Sequence, residues 1–305
     1  MARLLLFLPI CLFLQDRRCQ DCTETAGEGG PVAQVASAYL PKASLPGQEL
    51  FKCLSAAPFV PFPATIPWEP LREVSIRRQQ AIEDLIRRDV PAFLQMCIDR
   101  YDAEVKAYSA IMQKRERVFS RLLPTEVVET HFREQPFSVF MNWRQGVGMA
   151  QRTLYVHGEN GNRMLARPSG LLGNLGVFAR DVDSREIKAA GRYIVTEFGM
   201  KLGTVRSLKP MLEARKRNAL HVRYDGLYRV PETGDRLCYK IVRTPYDPPE
   251  DEGVNELTIY IDTETWLQVG SVLKDARGEL IAEYYFRDIR LDPKFSQNQF
   301  SRSAL

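Results

Sequence analysis

Arg163 and Arg167 stand four positions apart in "NRMLARPSG" with Leu165 between them, so an extended strand puts all three side chains on one face. Two guanidiniums side by side form a bidentate clamp for a phosphate or carboxylate head group. The same alternation also fits an exposed edge strand guarded by charge. Other candidates for chemistry are thinner. His131, His157 and His221 are far apart and lack metal-ligand spacing, and His131 shares its strand face with Glu129 and Arg133, which reads as a solvated polar face. "GENGN" has no following helix or lysine to make a phosphate loop and reads as a hairpin turn. "CQDC" matches C-x-x-C but has neither a second pair nor a βαβ context. With no nucleophile–base pair and no ligand cluster, the sequence predicts neither an enzyme nor a metal or cofactor site.

Apolar residues carry more of the signal. In "FSVFMNW", Phe137, Val139, Met141 and Trp143 share one strand face, with Phe140 the exception on the other. In "LIAEYYF", Leu280, Ala282, Tyr284 and Phe286 do the same, and so do Leu257, Ile259 and Ile261 in "NELTIYI". Leu202, Val205, Leu208 and Leu212 fall on one helical stripe within residues 199–218, with Lys209, Arg215, Lys216 and Arg217 largely outside it. Such residues fill a core or line a ligand cavity, and their types alone do not separate the two.

The elements that must position these residues follow from periodicity. Near-helical spacing predicts helices over 70–88 and 91–102, the second opened by Asp89 as cap and Pro91 in the first turn. Beyond Asp102 the period falls to two, and apolar runs between turn signals give about eleven strands. Asn160-Gly161 predicts a two-residue hairpin, Gly278 a three-residue one, and Thr233-Gly234 another. Helix 199–218 interrupts this meander, and Pro210 is expected to kink or divide it.

Ahead of the patterned region, Leu4 to Leu14 is an apolar run after Arg3, the length of a signal-peptide h-region and shorter than the roughly 20 residues that span a bilayer. Residues 1–22 are therefore read as a signal or apolar segment. Residues 23–67 hold seven prolines and four glycines, a composition that cannot repay its ordering entropy and reads as a disordered tether. A net charge of +4 from 42 basic and 38 acidic residues is no nucleic-acid footprint. The six cysteines form no legible disulfide framework.

The stretches "YDAEVKAYSAIMQKRERV", "QPFSVFMNW", "LYVHGENGNRMLARPSG" and "RYIVTEFGMKL" resemble a bacterial, planctomycete-type family, domain of unknown function 1571, over roughly residues 92 to 300. The matching positions include Tyr108, Glu116, Pro136, Phe137, Trp143, Tyr155, Gly158, Arg167 and Gly170. The closing stretch "YIDTETWLQVGSVLKDARGELIAEYYFRDIRL" is similar to the last strands of the lipoprotein-localisation proteins LolA and LolB. That resemblance implies an α+β fold: a strongly curved antiparallel half-barrel with helices over its concave side, here a single domain over 68–300. No catalytic or binding residues are established for the family, so none carries over.

Together these readings describe a non-enzymatic, exported protein of the periplasm or cell envelope that binds an acyl chain, lipid or lipidated protein in an apolar half-barrel. A lipid or lipoprotein, and a peripheral membrane contact, are the partners this admits; nucleic acid is not one. The ligand-binding set is Phe137, Val139, Met141, Trp143, Arg163, Arg167, Leu202, Val205, Leu208, Tyr284 and Phe286. The alternative is an interaction module whose interior is a filled core. Oligomeric state and ligand identity are not encoded in any pattern found.

Overall fold

The computed structural model describes residues 68–246 and 253–305. The apolar start, the segment 23–67 and Cys11, Cys19, Cys22 and Cys53, with the readings made there, lie outside the described residues.

Two helices lead, α1 (Trp68–Arg88) and α2 (Val90–Glu104). The break between them is chemical. Asp89 leaves helical geometry and its carboxylate accepts from the Ala92 N–H at 3.0 Å, while Pro91 sits where a missing donor costs nothing. The expected stripe of α2 is buried throughout: Phe93, Leu94, Cys97, Ile98 and Tyr101.

Antiparallel strands follow: β1 (Ala107–Val118), β2 (Arg121–Leu122), β3 (Glu126–Arg133), β4 (Ser138–Gln145), β5 (Ala150–Val156), β6 (Arg163–Pro168) and β7 (Phe178–Asp181). After two helices, α3 (Arg185–Ala190) and α4 (Met200–Lys216), come β8 (Val222–Val230), β9 (Arg236–Arg243), β10 (Val254–Asp262), β11 (Gln268–Asp275) and β12 (Leu280–Leu291). Eleven of these lie in one path, β7-β6-β5-β4-β3-β1-β12-β11-β10-β9-β8, and the two-residue β2 pairs only with β1. The fold is thus the expected α+β one, an open antiparallel half-barrel with helices on one side. Its two meanders are stitched together by β1 and β12, whose ladder places Met112 opposite Phe286 and Lys114 opposite Tyr284. Because β7 and β8 are opposite edges, residues 182–221 must cross the whole width of the sheet, and they do so over its concave side.

That concave side is packed unevenly. Over β8 to β11 it is a filled core, where α1, α2 and α4 deliver Ile86, Phe93, Leu208 and Met211 onto Tyr239, Ile241, Ile259 and Ile261. Phe93 meets the Tyr239 ring edge-on at 5.5 Å. The convex side has its own cover. Residues of the C-terminal stretch, Phe295, Phe300 and Leu305, pack against Phe140, Leu154 and Leu165. This explains Phe140: it breaks the alternation because both faces of β4 are buried, not one.

One expectation needs correction, and of the two outcomes open to Pro210 one is removed. Asn160-Gly161 does turn the β5–β6 hairpin, but in a longer connection that passes through a 3₁₀ turn with φ of 53°, 66° and 55° at Asn160, Gly161 and Asn162. The Asn162 side chain sets that length, accepting from the Gly158 N–H at 2.7 Å. Nor does Pro210 divide the third long helix; α4 runs through it as one element. A proline removes one hydrogen bond, and the buried Leu208, Met211 and Ala214 on either side hold the turn in place. The Gly278 and Gly234 turns form as expected, with φ of 78° and 79°.

Candidate functional site

Over the other half of the sheet the packing stops short and leaves a cavity of about 710 Å³. Its wall is chiefly the concave face of β1, β4, β6 and β12, where Met112, Met141, Met164 and Phe286 make it apolar. The strand alternation aims these side chains inward, since each is two or a multiple of two residues from the next inward position on its strand. The wall also reaches past the seam to Gln268, Ser271 and Leu273 of β11, at the border of the filled core. The roof is the crossing segment, through Ile187 of α3, Tyr193 and Phe198, and then the first turns of α4. Helix α4 offers Gly203 and Ser207 there, so its small residues widen the space while its large ones fill the core next door. Val147, Gly148, Met149 and Phe178, at the end of β4, β5 and β7, also border the cavity.

Polar groups interrupt the apolar wall, the Ser207–Gln268 pair beneath α4 among them, and the largest charged cluster lies at the seam. On β1, Lys114 and Glu116 both point inward, and the Lys114 ammonium donates to Glu116 Oε2 at 2.7 Å and lies 3.5 Å from Glu126 Oε2. Tyr284 donates to Glu116 Oε1 at 2.6 Å, and Trp143 Nε1 donates to Glu126 Oε2 at 2.5 Å. Both carboxylates are thus held by an ammonium and a neutral donor, as buried charges require. Burial works against the Lys114 charge, but Glu116 and Glu126 outweigh it and hold its pKa above the ordinary lysine value. Burial, followed by the charge of Glu116, pushes the Tyr284 phenol well above its ordinary value, so it stays a donor at neutral pH. The roof rests on this cluster at Gly191, where a Cβ would come within 3.2 Å of Glu116 Oε2. Beside it the Tyr193 ring packs at a tilt, 5.9 Å from the Tyr284 ring, and the Arg206 guanidinium sits 4.2 Å over the Tyr193 ring.

Of the residues expected to bind a ligand, the fold brings Met141, Trp143, Tyr284 and Phe286 to this cavity. Phe137 and Val139 share their face but are packed into the adjoining core with Phe132 and Tyr155. Leu202 lies outside the lining, and Val205 and Leu208 pack into the filled half beneath α4. Arg163 and Arg167 turn to the other side of the sheet, because Met164 and Ala166 take the inward positions of β6. There Arg167 donates to the Leu305 carbonyl at 2.8 Å and Arg163 to the Asn160 carbonyl at 3.4 Å, so they form no clamp at the cavity. Reading the residues alone missed Lys114, Glu116 and Glu126, although Glu116 stood among the positions matching the family. Their signal was the alternation itself: Met112, Lys114 and Glu116 are spaced by two on a strand whose other inward residues, Tyr108 and Ala110, are buried.

His131 is on the convex face between Phe140 and Phe295, 3.4 Å from Glu129. Among the described residues no group of three potential metal ligands converges, and no helix is long and apolar enough to cross a membrane. Cys97 and Cys238 are buried and free; burial drives both thiol pKa values up, that of Cys238 to about 12.

A family model for DUF1571, described as a protein of unknown function, matches residues 105–304. The chain belongs to this family. The match takes in the whole sheet and the crossing segment, and leaves α1 and α2 outside. No curated protein matches the sequence. Among solved structures, an uncharacterized conserved protein from Thermus thermophilus is similar at 11% identity, over 68% of this chain and 91% of that one, with a TM-score of 0.38. A chain of the Pseudomonas aeruginosa MucA/MucB complex is similar at 13%, over 68% and 60%, with a TM-score of 0.40. A LolA superfamily protein from Nitrosomonas europaea is similar at 9%, over 69% and 98%, with a TM-score of 0.28.

Proposed function

We propose that this DUF1571 member is a binding protein of the cell envelope that shelters an acyl chain, of a lipid or a lipidated protein, in the cavity between β1, β4, β6, β12 and the crossing segment. The observation that carries this reading is the cavity itself. A space of about 710 Å³ walled by Met112, Met141, Met164 and Phe286 lies within the range of small-molecule sites, roughly 300–1,000 Å³, and has the apolar lining such sites favour. Methionine walls suit chains of variable shape, because the unbranched thioether re-packs at little cost. Each methylene buried there contributes about 0.8 kcal/mol, so ten contribute about 8 kcal/mol before the costs of association. The Lys114–Glu116–Glu126 cluster gives the wall a charged station, where a hydroxyl or amide near the head of an amphiphile finds both donors and acceptors. The proposal assigns the protein binding rather than catalysis. Export follows from the Leu4 to Leu14 run, as read from the sequence.

The test is native mass spectrometry of the purified full chain with organic extraction of whatever co-purifies, followed by titration of the delipidated protein with a fluorescent fatty-acid probe. Co-purified lipid, or probe binding in the micromolar range or tighter, is expected. A protein that carries no lipid and leaves the probe unbound refutes the reading and leaves an interaction module in its place.

A further inference from the structure

The described residues include eleven large apolar side chains that are exposed, and six of them gather at one place: Val147, Met149, Leu171, Leu172, Leu175 and Phe178. Leu171 is 91% exposed, Met149 73% and Leu175 68%. They come from two connections, β4–β5 and β6–β7, and from the first residue of β7, which the sheet brings to one end. The β4–β5 connection is tied to the β6–β7 connection by Ser169, whose N–H donates to the Met149 carbonyl at 3.0 Å and whose hydroxyl donates to the Gly148 carbonyl at 2.7 Å. Gly173 folds the 3₁₀ turn 170–175 back onto the Pro168 carbonyl, close enough that a Cβ would sit 3.1 Å from it. Val147, Met149 and Phe178 also line the cavity, so the patch is continuous with its mouth.

We infer that this apolar end is a docking surface for an anionic lipid bilayer. Charge supports that occupant. The two stretches that build the patch, 144–152 and 163–180, contain no aspartate or glutamate. Two of their arginines stand at its end of the sheet, Arg180 beside Phe178 and the exposed Arg144, which pairs with Glu129. Arg152 and Arg167 are held at Leu305 on the convex face, and Arg163 lies at the other end of β6. Acidic residues resume at Asp181, at the far end of β7 opposite Arg163. Arg180 lies 5.7 Å over the Phe178 ring, an apolar tip with a cation beside it, the arrangement that settles at a headgroup boundary. Shape points the same way. Leucines projecting from short turns present knobs rather than a groove, and a fluid apolar phase accommodates knobs without a complementary partner. Anionic lipid then adds attraction for the arginines that a neutral surface does not supply. A chain leaving the bilayer here would enter the cavity without crossing water, although docking itself does not depend on what the cavity holds.

The experiment is co-sedimentation of the full chain with vesicles of phosphatidylcholine alone and of phosphatidylcholine mixed with phosphatidylglycerol. Leu171→Ser, Leu172→Ser and Leu175→Ser are then introduced together. The parent is expected to bind the mixed vesicles and to bind pure phosphatidylcholine more weakly, and the triple variant to lose roughly tenfold or more of its affinity for the mixed vesicles. The comparison is between variants of one chain, so any contribution of the Leu4 to Leu14 run is common to both. All three leucines are exposed, so the thermal midpoint should not fall; were it to fall, Leu171→Ser alone repeats the test at the most exposed position. Fatty-acid probe binding should survive the substitutions, which separates failure of docking from failure of the cavity reading. A parent that ignores both vesicles, a variant that binds as the parent does, or equal binding to neutral and anionic vesicles overturns the inference. So does sedimentation velocity in which the parent forms dimers that the triple substitution abolishes, since a second copy would then be the occupant.

Discussion

Tyr284 of β12 donates to Glu116 of β1 at 2.6 Å, a diagonal contact across the ladder that joins the two halves of the sheet. Lys114 holds the other oxygen of the same carboxylate at 2.7 Å, so one buried acid is satisfied from both strands of the seam. The seam is therefore fastened by a charged hydrogen bond on the face where the cavity needs it to stay open.

Tyr284→Phe removes the donor and keeps the ring. Glu116 is 4% exposed and would be left with one unfilled oxygen. A hydrogen bond to a charged group contributes about 1.5–3 kcal/mol, and a loss of that size in urea denaturation is expected, with the m-value unchanged. A loss below about 0.5 kcal/mol would mean that water replaces the phenol and that the seam is wet.

The two halves of the concave side should respond oppositely to mutation. Leu208→Ala, in the filled half, is expected to cost about 2–5 kcal/mol and to leave fatty-acid probe binding nearly intact. Met141→Trp, on the cavity wall, should leave the denaturation midpoint unchanged or raised while probe affinity falls by about tenfold, or about 1.4 kcal/mol. Equal stability losses in both variants would show that the cavity half collapses around its own side chains.

On the convex face, Glu129 is partly buried, which raises its pKa, but Arg144, the Asn142 amide and His131 outweigh this and hold it below the ordinary value of about 4.3. A depressed carboxylate contributes stability that is present above its unfolded pKa and lost as pH falls through the folded one. Glu129→Gln should therefore lower stability at pH 7, and the two denaturation curves should converge as the pH drops below about 4. A gap that persists into strong acid would trace the effect to packing instead of charge.

The elements themselves were legible locally. Asp89 and Pro91 fix the start of α2 because a cap and a missing donor act within one turn. The period of two marks each strand because a pleat alternates whatever it pairs with. Gly278 and Gly234 mark their turns because positive φ is a property of single residues. Even the shared face of Met141, Trp143, Tyr284 and Phe286 needed nothing beyond that alternation.

What lies opposite each face was decided only by the tertiary structure. Arg163 and Arg167 share a face as the alternation requires, yet that face is the convex one, because the closure of β1 on β12 and the burial of Leu165 under Phe300 and Leu305 set which side of β6 turns in. Leu208 and Ser207 are neighbours on one helix, and only the placement of α4 between a packed half and a hollow one sends the first into core and the second to the cavity. Lys114 and Glu116 look like ordinary surface charges until Glu126, Trp143 and Tyr284 arrive from three other strands to satisfy them. Periodicity is a property of neighbours in the chain, whereas a cavity is made by residues as distant in sequence as Met112 and Phe286, and the space between them depends on how far each of several packed layers fails to fill it.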